Sequence, residues 1–146
     1  MAPRISIIIP LRNMERFIGE TLSSLEAQTE RAFETIVVDD GSTDATMAIV
    51  EKAAARGGLG QYKSITGPAT GVSAARNAGF AAAKAPAVLF LDGDDLLEPT
   101  ARERLCDALE ATQKAAVLGG ITRIDIEGAP LPGADNRALV PEKGHL

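Results

Sequence analysis

The run Ile5-Ser6-Ile7-Ile8-Ile9 constrains the fold more than any other segment. A half-exposed strand alternates apolar and polar side chains. This run is apolar almost without a break, so both of its faces have to be covered. Four of its five residues are β-branched, which favours a strand over a helix. Strands of that kind belong to parallel sheets with helices on both sides, and the rest of the chain repeats the alternation. From Glu15 to about Gln28, the residues Phe17, Ile18, Thr21, Leu22 and Leu25 fall on one helical face. Phe33 to Val38 reads as a second strand closed by Asp39-Asp40-Gly41-Ser42. Met47, Val50 and Ala54 then mark the inner face of a second helix capped by Thr43 or Asp44.

The stretch from Arg56 to Gly60 stops that helix, and Tyr62 to Ile65 is a short third strand. Gly71 to Ala83 forms a helix whose Val72, Ala75, Gly79 and Ala82 are small enough to lie close to a sheet. Ala87 to Leu91 is the fourth strand and runs into Asp92-Gly93-Asp94-Asp95. Pro99 and the capping-box pair Thr100 and Glu103 start a fourth helix. A last strand is expected from Ala116 to about Ile126, followed by an irregular tail from about residue 127. The expected fold class is α/β: a Rossmann-like, mostly parallel sheet flanked by helices, in a single domain over residues 1–146.

Composition removes several function classes. Lys plus Arg number 15 against 20 Asp plus Glu, a net charge of −5, and aromatics are 3% of the chain. A surface for nucleic acid phosphates or stacked bases is therefore not expected. One cysteine, Cys106, leaves neither a disulfide framework nor a cysteine zinc site, and it reads as a small core residue. His145 reads as a bystander. No run approaches the ~20 apolar residues of a membrane span, so a cytoplasmic location is expected.

In an open α/β sheet ligands bind beyond the carboxyl ends of the strands. Pro10-Leu11-Arg12-Asn13, Asp39-Asp40-Gly41-Ser42 and Asp92-Gly93-Asp94-Asp95 occupy those places. If the strands are neighbours, five carboxylates converge on one rim, and hard divalent cations such as Mg²⁺ or Mn²⁺ are the natural compensation. Plainer readings stand beside this one. Asp-Gly-Ser-Thr-Asp is a common turn and helix cap, and Arg76-Asn77 fits a solvated helix face. Three acids in Asp92-Gly93-Asp94-Asp95 exceed what a turn needs. A haloacid dehalogenase-type phosphotransferase requires Asp-x-Asp-x-Thr/Val, and Leu96 breaks that pattern. A nicotinamide site requires a Gly-x-Gly-x-x-Gly that does not follow the first strand.

Four motifs in order, Ile7-Ile8-Ile9-Pro10-Leu11-Arg12-Asn13, Gln28-Thr29 with Val37-Val38-Asp39-Asp40-Gly41-Ser42-Thr43-Asp44, Gly71-Val72-Ser73-Ala74-Ala75-Arg76-Asn77-Ala78-Gly79, and Phe90-Leu91-Asp92-Gly93-Asp94-Asp95, closely resemble the family 2 inverting glycosyltransferases. The resemblance runs from about Ile5 to Ile126. It implies a GT-A-type nucleotide-diphospho-sugar transferase fold and transfer of a sugar from a nucleotide donor, a UDP-sugar, to an unknown acceptor. By the same resemblance Pro10, Arg12 and Asn13 line the base pocket, and Asp40 accepts a hydrogen bond from the nucleobase. Asp92, Asp94 and Asp95 cover the DxD signature: Asp92 contacts the ribose, and either Asp94 or Asp95 holds Mn²⁺ or Mg²⁺ against the diphosphate. Arg76 would add positive charge near the phosphates. Arg12 stands where the family usually has an aromatic residue.

The family's general base and acceptor-binding part lie downstream of the last matching strand. Asp125, Glu127, Asp135 and Glu142 match no base motif, so the catalytic residue is left unassigned. The resemblance therefore implies a truncated fold, and the expected cytoplasmic location includes the inner face of a membrane if a missing C-terminal part supplies an anchor. The alternative is a non-catalytic nucleotide-diphosphate-binding module.

Overall fold

In the computed structural model, which describes residues 2–112, 116 and 121–136, the chain divides into two compact units, Met1–Cys106 and Asp107–Leu146. The first unit carries a sheet of β1 (Ile5–Leu11), β2 (Phe33–Asp39), β3 (Gln61–Thr66) and β4 (Ala87–Phe90). All four strands are parallel, in the order β3-β2-β1-β4. The chain steps outward from β1 to β3 and then crosses back to lay β4 on the other side of β1. Between them run α1 (Ile18–Glu26), α2 (Thr46–Ala55) and α3 (Val72–Ala82), and α4 (Ala101–Thr112) follows β4.

Both faces of β1 are covered, as its unbroken apolar run requires. Ile5, Ile7, Ile9 and Leu11 pack with Ile18, Leu22 and Leu25 of α1 and with Val50 and Ala53 of α2. On the opposite face Ile8 joins Ile36, Val38 and Ala75 of α3. Ile7, Ile8 and Ile9 are completely buried, and each contributes roughly 1.5–3 kcal/mol by leaving water. On α3, a Cβ at Gly79 would collide with the Ile8 side chain and come within 3.1 Å of Val38 Cγ2. The helix backbone thus rests directly on the sheet, which is why that position is a glycine.

Ser6 interrupts the apolar run for a reason. Its hydroxyl donates to the carboxylate of Glu34, itself 3% exposed, and Glu34 also accepts the Lys84 (2.6 Å) and Ala85 (3.2 Å) amides. The α3–β4 connection is thereby tied to the amino-terminal end of the sheet. Burial pushes the Glu34 pKa up, but the Ser6 hydroxyl and the two amides outweigh it and hold the group below the usual 4.5.

Several local expectations need correcting. α1 begins at Ile18 rather than Glu15, and Phe17, expected on its inner face, is 36% exposed at the N-cap. The N-cap of α2 is Ala45, while the Asp44 carboxylate accepts the Thr46 amide at 2.9 Å from one position outside. Glu103 does not complete a capping box: it accepts the Thr29 hydroxyl at 2.8 Å and ties α4 to the α1–β2 connection. Val72, expected against the sheet, is 50% exposed.

In the second unit β5 (Ile121–Ile124) pairs antiparallel with β6 (Pro130–Asn136), so the expected strand is shorter and the expected irregular tail carries a strand. The cause is turn chemistry: Asp125 Oδ1 accepts the Glu127 and Ala129 amides, and Gly128 adopts φ +85°. Of the four downstream acids that match no base motif, Glu142 lies outside the described residues, as does His145. Among the described residues no helix is long and apolar enough to cross a membrane.

Candidate functional site

Parallel pairing puts the carboxyl ends of β1, β2 and β4 on one edge, and strand order reverses at β1. Pro10 opens a gap there. Residues of a parallel strand point their amide and carbonyl to the same side, and Ile8 accepts the Leu91 amide at 3.0 Å on the β4 side. Pro10, two residues on, faces that side too, but the pairing with β4 ends at Ile8↔Phe90. A residue without an N–H therefore costs nothing there, and the two strands diverge. Beside the divergence lies a cleft of about 210 Å³ lined by Pro10, Leu11, Arg12, Asp40, Val72 and Ala75, among others.

Asp40 is the charged group built into that wall. It is 4% exposed, with Oδ1 accepting the Ala69 amide at 2.7 Å and Oδ2 the Gly71 amide at 3.1 Å. The loop it holds is tight: Ala69 has φ +56°, Gly71 has φ +108°, and a Cβ on Gly67 would lie 2.7 Å from Asp40 Oδ1. Each carboxylate oxygen carries a second acceptor site, so Asp40 can shape the loop and still take a hydrogen bond from the cleft.

The β1–α1 loop is fastened to the β2–α2 loop. Asn13, at φ +53°, donates its amide to Ser42 Oγ at 3.1 Å and accepts the Thr43 amide on Oδ1 at 2.8 Å. Its side chain thus braces the rim, leaving its NH₂ group for other partners. Asp39 accepts the Ser42 amide at 2.8 Å, the plain turn role for that acid. Arg12 is exposed on the cleft wall.

Arg76 of α3 and Asp92 after β4 are not among the residues that line the cleft; Arg76 Nη2 and Asp92 Oδ1 form an ion pair at 2.6 Å, both side chains partly exposed. Arg76 Nε is buried and has no hydrogen-bond partner among the described residues. Asp94 and Asp95 follow in an exposed turn closed by the Asp95 amide on the Asp92 carbonyl at 3.1 Å. Desolvation, then the neighbouring charges of Asp94 and Asp92, push the Asp95 pKa up.

The five carboxylates do not form the converging cluster expected of them. Among the described residues no three His, Cys, Asp or Glu side chains stand close enough to hold a metal ion. Asp39 and Asp40 are turned onto loop amides, and Asp92 onto Arg76. What remains is a pair of exposed hard oxygen donors whose mutual repulsion is uncompensated, which fits a cation that takes one or two carboxylates and completes its shell with phosphate oxygens. Sequence reasoning did not single out Met14 and Gly71 as cleft-lining residues, because neither carries a chemical signature.

Comparison with known proteins adds a separate line of observation. Residues 6–145 match the model of the family described as Glycosyl transferase family 2. Among relatives, the chain is 35% identical over 143 residues to the uncharacterized glycosyltransferase EpsJ of Bacillus subtilis, covering 97% of this chain and 38% of EpsJ. Among solved structures, Staphylococcus aureus TarS 1-349 in complex with UDP-GlcNAc superposes with a TM-score of 0.66 at 33% identity, over 75% of this chain and 32% of that one. The mannosyltransferase PcManGT from Pyrobaculum calidifontis in complex with GDP-Man and Mn²⁺ gives 0.66 at 26% identity, over 86% and 36%. The chain spans less than half the length of these proteins.

Proposed function

Since the chain belongs to glycosyl transferase family 2 and has its GT-A-type α/β fold, we propose that the cleft beyond β1, β2 and β4 binds a nucleoside diphosphate sugar, with UDP as the nucleotide, and that the protein transfers the sugar with inversion to a hydroxyl acceptor. The observation that carries this reading is the buried Asp40 carboxylate in the wall of a cleft at the point of strand reversal. The base lies between Pro10, Arg12 and Val72, with its ring N–H donated to Asp40. Arg12 stacks its guanidinium plane on the base, a contact its planar, weakly hydrated group suits. Asn13 holds the rim in register rather than reading the base directly.

Asp92 accepts from the ribose hydroxyls, and Arg76, already fixed by Asp92, presents its remaining N–H groups to the phosphates. Asp94 or Asp95 holds a divalent cation, Mn²⁺ or Mg²⁺. When bound, the cation supplies Lewis-acid stabilisation of the charge that develops on the departing diphosphate. The acids of the turn are exposed and mutually repelling, so cation and nucleotide should bind together.

Calorimetry of UDP binding with Mn²⁺ and with a chelator tests the reading. Binding that strengthens with Mn²⁺ and weakens in Asp40→Ala is expected. Equal affinity with and without chelator would remove the cation from the site, and no UDP binding at all would remove the site.

A further inference from the structure

The ten residues between β4 and α4 contain the acidic turn, and they are held largely by side chains of α1 and of the residue just beyond its C-cap. The Gly93 carbonyl accepts the Thr21 hydroxyl at 2.9 Å, and the Leu97 amide donates to Ser24 Oγ at 3.2 Å. Gln28 does most. Its Nε2 donates to the carbonyls of Glu98 (2.6 Å), Ser24 (3.1 Å) and Leu97 (3.3 Å), and its Oε1 accepts the Arg102 amide in the first turn of α4 at 3.1 Å. Thr21 and Ser24 stand at i and i+3 on α1, and Gln28 follows just beyond the C-cap Ala27, where the chain has left the helix. Thr21 is completely buried and Gln28 is 1% exposed.

An apolar stripe would cover the same surface without the desolvation that buried polar groups carry, so the gain from these residues is in position rather than in burial. The Gly93, Leu97 and Glu98 backbone groups that these side chains reach belong to residues outside any strand or helix. The pattern fixes the turn at both ends: Thr21 holds Gly93 on one side of Asp94 and Asp95, and Gln28 holds Leu97 and Glu98 on the other. Gly93 is confined further, because a Cβ there would collide with Leu11. We propose that Gln28, supported by Thr21 and Ser24, is a positioning residue for the Asp92–Asp95 turn, setting where its carboxylates stand for a cation and diphosphate. What the turn binds rests on the function proposed above; that these three side chains position it does not.

The test uses the 146-residue chain and Gln28→Met, which keeps length and packing and removes all four hydrogen bonds. Two quantities are measured: amide hydrogen exchange at Gly93, Asp94 and Asp95 without ligand, and UDP affinity with Mn²⁺ and with chelator. Expected are faster exchange at the turn, UDP affinity in chelator within about twofold of the parent, and a Mn²⁺-dependent gain reduced about 10–100-fold, as when groups orienting metal ligands are lost. Unchanged exchange at the turn in a folded variant overturns the positioning role, and so does an unchanged Mn²⁺-dependent gain. If Gln28→Met does not fold, Thr21→Val, which removes only the bond to Gly93, decides by the same two criteria. Faster exchange in the variant, with no Mn²⁺-dependent UDP binding by the parent chain, upholds the positioning and overturns the donor-site reading instead.

Discussion

One carboxylate, Asp40, serves both the fold and the cleft. Removing it strands the Ala69 and Gly71 amides of a tight loop, so Asp40→Ala should lower the unfolding free energy by about 1–3 kcal/mol and weaken UDP binding by a similar amount. Urea denaturation and calorimetry on the same sample separate the two effects; native UDP affinity in a destabilised variant would leave Asp40 a loop anchor only. A second buried carboxylate governs acid stability. Glu34 is held below its unfolded pKa, so the folded state binds fewer protons: its contribution is complete above about pH 4.5 and is lost as pH falls through the lower folded value. Glu34→Gln should therefore be less stable than the parent at pH 7, with the gap closing below pH 4 in denaturant titrations. Asp40 stood out in the sequence because it follows a strand, but the turn reading stood beside it, and nothing local foretold its bonds to the Ala69 and Gly71 amides. Glu34 did not stand out, since a polar residue within an apolar strand signals neither its partners nor its burial.

At the scale of elements, composition and spacing reported the packing surfaces well and the element ends poorly. The small face of α3 was readable from Ala75 and Gly79 because close approach to a sheet leaves only small residues. Gly79→Ala gains about 1 kcal/mol of helix propensity but forces a methyl into Ile8. Overpacking of this kind costs typically ~1–3 kcal/mol, so a net loss of about 1 kcal/mol in thermal or urea unfolding is expected. An equal or higher stability would mean that Ile8 gives way easily. The capping box at Thr100 failed as an expectation because Glu103 found a tertiary partner in Thr29, and the cap of α2 was off by one residue, Asp44 reaching the Thr46 amide from outside Ala45. The hairpin of β5 and β6 was missed because Asp125-Ile126-Glu127-Gly128 lacks the Asn-Gly or Asp-Gly signature, and only its backbone conformation reveals the turn. The polar hold of Thr21, Ser24 and Gln28 on the acidic turn was hidden for a similar reason: Thr21 was counted with the apolar face of α1, and nothing local shows what Gln28, just past the helix, reaches.

For the whole molecule the question is what binding alone can accomplish. Mn²⁺ with UDP at 100 times the dissociation constant should stabilise the chain by about 2.7 kcal/mol, visible as a rise in Tm that a chelator reverses. Turnover demands one more group, a base within hydrogen-bond reach of the acceptor hydroxyl. In the unit that carries the sheet, the acids of the candidate site are already engaged: Asp40 with loop amides, Asp92 with Arg76, and Asp94 and Asp95 reserved in the proposed site for the cation. In the second unit Asp125 Oδ1 is taken up by the amides of its own turn. Without general-base assistance transfer slows by about 10²–10⁴-fold, while departure of the diphosphate stays assisted, so water competes with the acceptor. The 146-residue chain is therefore expected to bind UDP-sugar, hydrolyse it slowly and transfer little to an added hydroxyl acceptor. Product analysis after incubation with UDP-sugars, Mn²⁺ and a panel of acceptors checks this, and rapid transfer abolished by Asp125→Asn or Glu127→Gln would place the base in the hairpin after all.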